Sequence, residues 1–202
     1  MKKLYSLLLF ALLLSCNNQN QQNTEQVSTV NAEDSQYTIE TSQSSITWTG
    51  RELSTSYHYG TINFLSGQFE VSNGIILNGE FIVDMTSINN QDMEGDRKAR
   101  LEGHLKSDDF FSVDSHPTAL LSIQGSELIS EGKWNVTANL TIKGITHPVD
   151  FEMTRSEQGW SANLVFDRSK YEVRFRSGTF FENLGDKLIY DDIELAINLT
   201  TI

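Results

Sequence analysis

From Thr118 to Leu199 apolar side chains return at every second position, and this period of two limits the possible folds more than any other feature of the sequence. Its clearest instance sets Trp134, Val136, Ala138, Leu140 and Ile142 against Asn135, Thr137, Asn139 and Thr141. Comparable runs hold Ile75, Leu77, Phe81, Val83 and Met85, then Val149, Phe151 and Met153, then Trp160, Ala162, Leu164 and Phe166. Tyr171, Val173 and Phe175 form a further expected strand, and Ile189 to Leu199 the last. Between Ile62–Phe64 and Phe69–Val71 the phase changes near Gly67, which marks a bulge or bend. Short turns such as Ser72-Asn73-Gly74 and Lys143-Gly144 join neighbours, so successive strands pair antiparallel. About eight such strands with one apolar face each can close into a barrel or stack as a sandwich, and the pattern admits both.

One stretch breaks the period. In Leu101 to Pro117, Leu101 and Leu105 are spaced as on a helix, with Ala99 and His104 near the same face and Asp96 as the expected N-cap. Ser107-Asp108-Asp109 reads as the cap of a second turn that presents Phe110 and Phe111 together. A short helical insertion near residues 96–111, set into a run of hairpins, suggests a lid at one end of a closed sheet.

The N-terminus is of another kind. Lys2 and Lys3 precede an apolar run from Leu4 to Leu14, too short to span a bilayer and shaped like a secretory signal, expected over residues 1–15. Its end, Leu13-Leu14-Ser15-Cys16, resembles the lipobox of bacterial lipoproteins, which implies a lipid anchor at Cys16. Cys16 is the only cysteine, so no intramolecular disulfide or thiolate metal cluster can form. Residues 16–35 are rich in Asn, Gln, Ser and Thr and read as a flexible tether, leaving residues 36–202 as one domain. The expected location is the cell envelope, lipid-anchored and facing the periplasm. Loss of Lys2 and Lys3 with the signal takes the formal charge from −12 to −14, which argues against nucleic acid and against electrostatic attachment to anionic lipid.

Several stretches together resemble the YceI-like family: Ser44-Ser-Ile-Thr-Trp48, Gly60 to Phe69, Phe81 to Ile88, Leu101 to Pro117, and Ala138 to Val149. The gap between Trp48 and Gly60 is wider here than in many members. The resemblance implies an all-β, eight-stranded antiparallel lipocalin-like β-barrel. It also implies binding, sequestration or transport of a long-chain isoprenoid lipid of quinone or polyprenyl type, with no catalytic residue, no metal and no cofactor beyond that lipid. The apolar phase holding Trp48, Phe64, Phe81, Val83, Leu121, Ile123, Trp134, Val136, Phe151, Leu164 and Phe166 either lines a tunnel or fills a solid core. Pattern alone favours filling; the resemblance implies the tunnel. His104, Arg100, Phe110 and Phe111 are the expected lid or head-group contacts.

Other motifs read more plainly. His58, His104, His116 and His147 lack metal-ligand spacing. Arg97, Lys98, Arg100 and Lys106, interspersed with acidic residues, suit the solvated face of a helix. No nucleophile triad order, phosphate loop or dinucleotide fingerprint occurs, so no enzyme is expected. The alternative to a carrier is a non-catalytic envelope interaction or stress-response lipoprotein with a filled core. Pairing of the barrel with a second copy is left open.

Overall fold

The computed structural model describes residues 29–54 and 56–202. The expected signal segment and the anchor Cys16 lie outside the described residues. The elements run β1 (Ser35–Thr38), β2 (Ser45–Glu52), β3 (Tyr57–Ser72), β4 (Ile75–Asn90), α1 (Gly95–Lys106), β5 (Thr118–Ser130), β6 (Lys133–Ile142), β7 (Ile145–Ser156), β8 (Gly159–Asp167) and β9 (Ile189–Leu199).

Strands β2 to β9 form one closed antiparallel barrel. Around it the order is β3-β2-β9-β8-β7-β6-β5-β4, and β4 returns to pair with β3. Closure leaves none of these eight strands at an open sheet edge, although β7 pairs with β8 only over residues 152–156. The short β1 pairs with the second half of β3, Tyr37 opposite Phe69, and Ile39 bridges to Thr201.

The connections make the two ends of the barrel different. One end carries the hairpin turns at Asn73-Gly74, Glu131-Gly132 and Glu157-Gln158 together with β1. The other carries the β2–β3 loop, α1 and its following turns, Lys143-Gly144, and the long segment from Arg168 to Leu188. We call these the closed end and the lid end.

Bulges explain where the apolar phase shifts. Phe64 faces Val83 while Ser66 faces Ile82, so Leu65 is the extra residue and points outward, half exposed. A second shift between Glu70 and Val71 places Ile76 inside, fully buried, and turns Leu77 outward. This corrects the expected inward set Ile75 and Leu77, because the added residue inverts every position beyond it. Gly67 has a separate reason for being glycine: a Cβ there would come within 2.5 Å of the Phe81 ring and 2.8 Å of Ile39.

Three further expectations are corrected. Tyr171 to Phe175 is not a strand: Arg168–Tyr171 is a 3-10 helix, and the left-handed backbone at Glu172 (φ 57°) and Arg176 (φ 51°) breaks extended geometry. Helix α1 begins after Glu94 rather than at Asp96, with no side-chain cap. Residues 29–35, expected in the tether, are docked on the closed end. Val30 N–H donates to Arg155 O at 3.1 Å, and the Asp34 carboxylate accepts from the N–H groups of Asn73 and Gly74.

Candidate functional site

The barrel interior is filled over one half and hollow over the other. At the closed end Trp134, Trp160, Phe69, Phe81 and Tyr37 form an aromatic cluster. Trp160 packs on Phe69 at 4.8 Å edge-to-face and on Trp134 at 5.4 Å, and Phe69 stacks on Tyr37 at 5.1 Å. Trp134 donates its ring N–H to Gly74 O at 2.8 Å, so its one polar atom is satisfied where the ring is buried. Val136, Ala138 and Ile76 fill the gaps between these rings at 0 % exposure.

Toward the lid end a cavity of about 410 Å³ opens. Its floor can be read strand by strand. Val83 lines it and Phe81 does not; the same break falls between Ile62 and Phe64, Leu140 and Ala138, Phe166 and Leu164, Ala119 and Leu121, and Leu195 and Ile197. Below that level side chains meet across the axis. Above it they are mostly aliphatic or small, and the space between them stays open. Trp48 forms part of the wall, its ring lying over Gly60, where a Cβ would come within 2.7 Å of the indole. Its ring N–H donates to Thr61 O at 3.2 Å, which leaves only carbon facing the cavity.

Of the expected tunnel residues, Trp48, Val83 and Phe166 line this cavity. Phe64, Phe81, Leu121, Ile123, Trp134, Val136, Phe151 and Leu164 do not; they belong to the packed half or its margin. Alternation fixes which side chains point inward, but not whether they meet. The four expected lid residues, Arg100, His104, Phe110 and Phe111, all line the cavity. Missed from the sequence were Ile46, Ile62, Met85, Leu140 and Ile142, each on an inward phase, and Arg51, Phe175 and Arg176 at the rim. Leu140 and Ile142 continue the periodicity of Trp134 and Val136, which was the signal available for them.

The lid is held by two polar networks. Arg168, with its side chain wholly buried, donates to the carbonyls of Val173, Phe175, Ile189 and Tyr190 and lies 3.2 Å from Asp191. Burial pushes its pKa down, and Asp191 and Asp167 push it back, for a net value below the ordinary one. This one guanidinium therefore ties the Arg168–Leu188 segment to the start of β9. Tyr171 at the same place packs against Phe166 and His147, filling the seam where β7 and β8 separate beyond their pairing at Glu152 and Asn163. Burial, with Asp167 adding to it, pushes the Tyr171 hydroxyl up to about 12.

The second network lies at the other side of the mouth. Asp92 accepts from Tyr59 N–H at 2.9 Å and from Asn90, and lies 2.8 Å from His58 Nδ1. Burial pulls its carboxyl up, and these hydrogen bonds outweigh that, holding it below the usual carboxylate range. Asn90 N–H donates to Glu102, which joins the end of β4 to α1. His104, on the inner side of α1, is wedged between Phe110 at 5.7 Å and Phe175 at 4.3 Å. Among the described residues no group of His, Cys, Asp and Glu converges as a metal site. No helix among them is long and apolar enough to cross a membrane.

A closed antiparallel barrel with an apolar, lidded cavity at one end is a lipocalin-like architecture. The model of the YceI-like domain matches residues 37–201, and the chain belongs to that family. A UPF0312 protein of Photorhabdus laumondii is 25% identical over 153 residues, 73% of this chain and 76% of its own length. One from Pseudomonas aeruginosa is 29% identical over 112 residues, 54% of each chain. Among solved structures, BcnA of Burkholderia cenocepacia superposes with TM-score 0.60 at 16% identity, over 80% of this chain and 98% of that one. A polyisoprenoid binding domain from Saccharophagus degradans, implicated in plant cell wall breakdown, superposes with TM-score 0.52 at 13% identity, over 81% and 95%.

Proposed function

We propose that this chain binds the apolar tail of a long-chain isoprenoid lipid, of quinone or polyprenyl type, in the lid-end cavity, and sequesters or carries it without chemistry. The observation that carries this reading is the cavity of about 410 Å³, walled by Ile46, Trp48, Ile62, Val83, Leu140 and Ile142. Space of that size and lining takes an apolar occupant, each buried methylene contributing roughly 0.8 kcal/mol. Polar groups (Arg51, His58, Arg100 and Arg176) border the cavity and would meet the lipid's polar end in water. The binding described for the Saccharophagus domain agrees with this use of the fold. The lipobox-like Leu13-Leu14-Ser15-Cys16 supports an anchored, periplasm-facing position that keeps the barrel beside the bilayer supplying its ligand.

The test is solvent extraction of the gently purified chain followed by mass spectrometry. A stoichiometric isoprenoid is expected; repeated recovery of none would refute the carrier role.

A further inference from the structure

We infer that His58, held by Asp92, accepts a hydrogen bond from the ligand at the cavity mouth, so that the lipid's polar end is a hydroxyl group. This deepens the binding function proposed above and rests on it. Within that class it selects prenols and quinols over ethers, quinones and phosphates.

Strand phase aims the ring. His58 and Ile62 of β3 line the cavity, while Tyr57 and Tyr59 do not and stack on each other with ring centres 6.0 Å apart. The His58 Nδ1 atom is turned away, 2.8 Å from Asp92, which is no part of the cavity wall. The opposite edge of the ring, which carries Nε2, therefore borders the cavity. Among the described residues Nε2 has no hydrogen-bond partner.

Asp92 decides which nitrogen carries the proton. Its carboxyl lies below the usual carboxylate range, so near neutral pH it is ionised and can only accept. One oxygen takes the N–H of Tyr59 and the side-chain amide of Asn90, and the other is left for His58. Nδ1 is therefore the N–H, and in the neutral imidazole Nε2 is a bare acceptor. Asn90 steadies the carboxylate in turn. Fully buried, it also donates to Tyr59 O and accepts from Met93 N–H.

The rest of the mouth narrows the ligand further. Glu52 borders the cavity as a second acceptor, and Arg100 and Arg176 border it as donors. Arg51 is occupied, giving its Nε and one terminal nitrogen to Glu194. A hydroxyl can donate to His58 and accept from a guanidinium at once. A carbonyl or ether only accepts, which leaves Nε2 unpaired. A phosphate dianion meets the guanidiniums but also the Nε2 lone pair and the Glu52 carboxylate.

The experiment titrates the full chain with farnesol, farnesyl methyl ether and farnesyl phosphate, followed by tryptophan fluorescence, since Trp48 lines the cavity. It is run at about pH 9, above the ordinary imidazole range. Farnesol should bind more tightly than the ether. The ratio of their affinities should fall about fivefold in His58→Phe, which keeps a flat ring and removes the acceptor. In Asp92→Asn the new amide nitrogen donates to Nδ1 and the imidazole proton moves to Nε2, so the ether should bind at least as well as the alcohol. Equal binding of alcohol and ether by the unsubstituted chain overturns the inference. So does a preference for the alcohol that survives unchanged in either variant, or tighter binding of the phosphate than of the alcohol. The two readings fail differently: if none of the three ligands binds, the carrier function falls and this contact with it, whereas equal binding of all three removes the hydroxyl contact alone.

Discussion

Trp134 and Ile142 lie on the same inward face of β6, one within an aromatic cluster with no free space and the other on the wall of a cavity. The strand geometry is the same at both positions. What differs is the size of what faces inward. At the closed end rings from β1, β3, β4, β6 and β8 reach across the axis and touch. At the lid end Ile, Val, Leu and Ala stop short of one another, and the helix and the Arg168–Leu188 segment cover the gap. A barrel of eight strands is near the width at which side chains just fill it, so a modest change in side-chain volume decides between core and container.

The largest effect expected from this difference is at Trp134. Trp134→Ala should cost about 3–5 kcal/mol, and Ile142→Ala about 2, because one side of Ile142 already faces open space. Equilibrium denaturation of both variants measures the contrast, and equal losses would break it. Next is Arg168→Ala, expected to cost about 3 kcal/mol since it strands four carbonyls and Asp191. The loss should show as faster amide exchange over 168–190, with 133–140 following only global unfolding. Third, one substitution made in both halves should have opposite outcomes. Ala138→Leu overpacks the filled half and should destabilise by about 1–3 kcal/mol. Ala119→Leu enters the cavity and should change stability by less than about 1 kcal/mol while reducing the lipid recovered.

The smallest effect concerns Tyr171, whose hydroxyl is buried without a partner. Because its folded pKa is raised to about 12, its contribution is fully present below about pH 10 and is lost as pH rises toward 12. Tyr171→Phe should shift stability at neutral pH by less than about 1 kcal/mol and flatten its alkaline fall, as read from denaturant midpoints between pH 9 and 11.

Much of this architecture was legible in the sequence. Alternation along β6, β8 and β9 gave antiparallel strands with one apolar face, and the change of period at Leu101–Leu105 marked the helix over the mouth. Arg100, His104, Phe110 and Phe111, on or just after the insertion, line the cavity because a helix within a meander can only cover an end. The cavity floor was not legible. Phe81 and Val83 share a phase, and only their neighbours across the barrel decide that one is packed and the other lines space. The Tyr171–Phe175 segment misled because its alternation is real, Tyr171 and Val173 being buried and Glu172 and Arg174 exposed. That alternation is imposed by a buried guanidinium collecting carbonyls, which leaves the same trace in a sequence as a strand. The docking of residues 29–35 depended on Asp34 finding the Asn73-Gly74 turn, a contact between distant segments that composition cannot reveal.

The floor where Phe64 and Phe81 meet, ring centres 6.1 Å apart, turns the container into a ruler. A tail that just reaches it gains from every unit it buries, and any carbon beyond that depth must stay outside. Affinity across a series of lengthening chains should therefore climb and then level off, and the length at the plateau would report how far Phe64 and Phe81 stand from the rim.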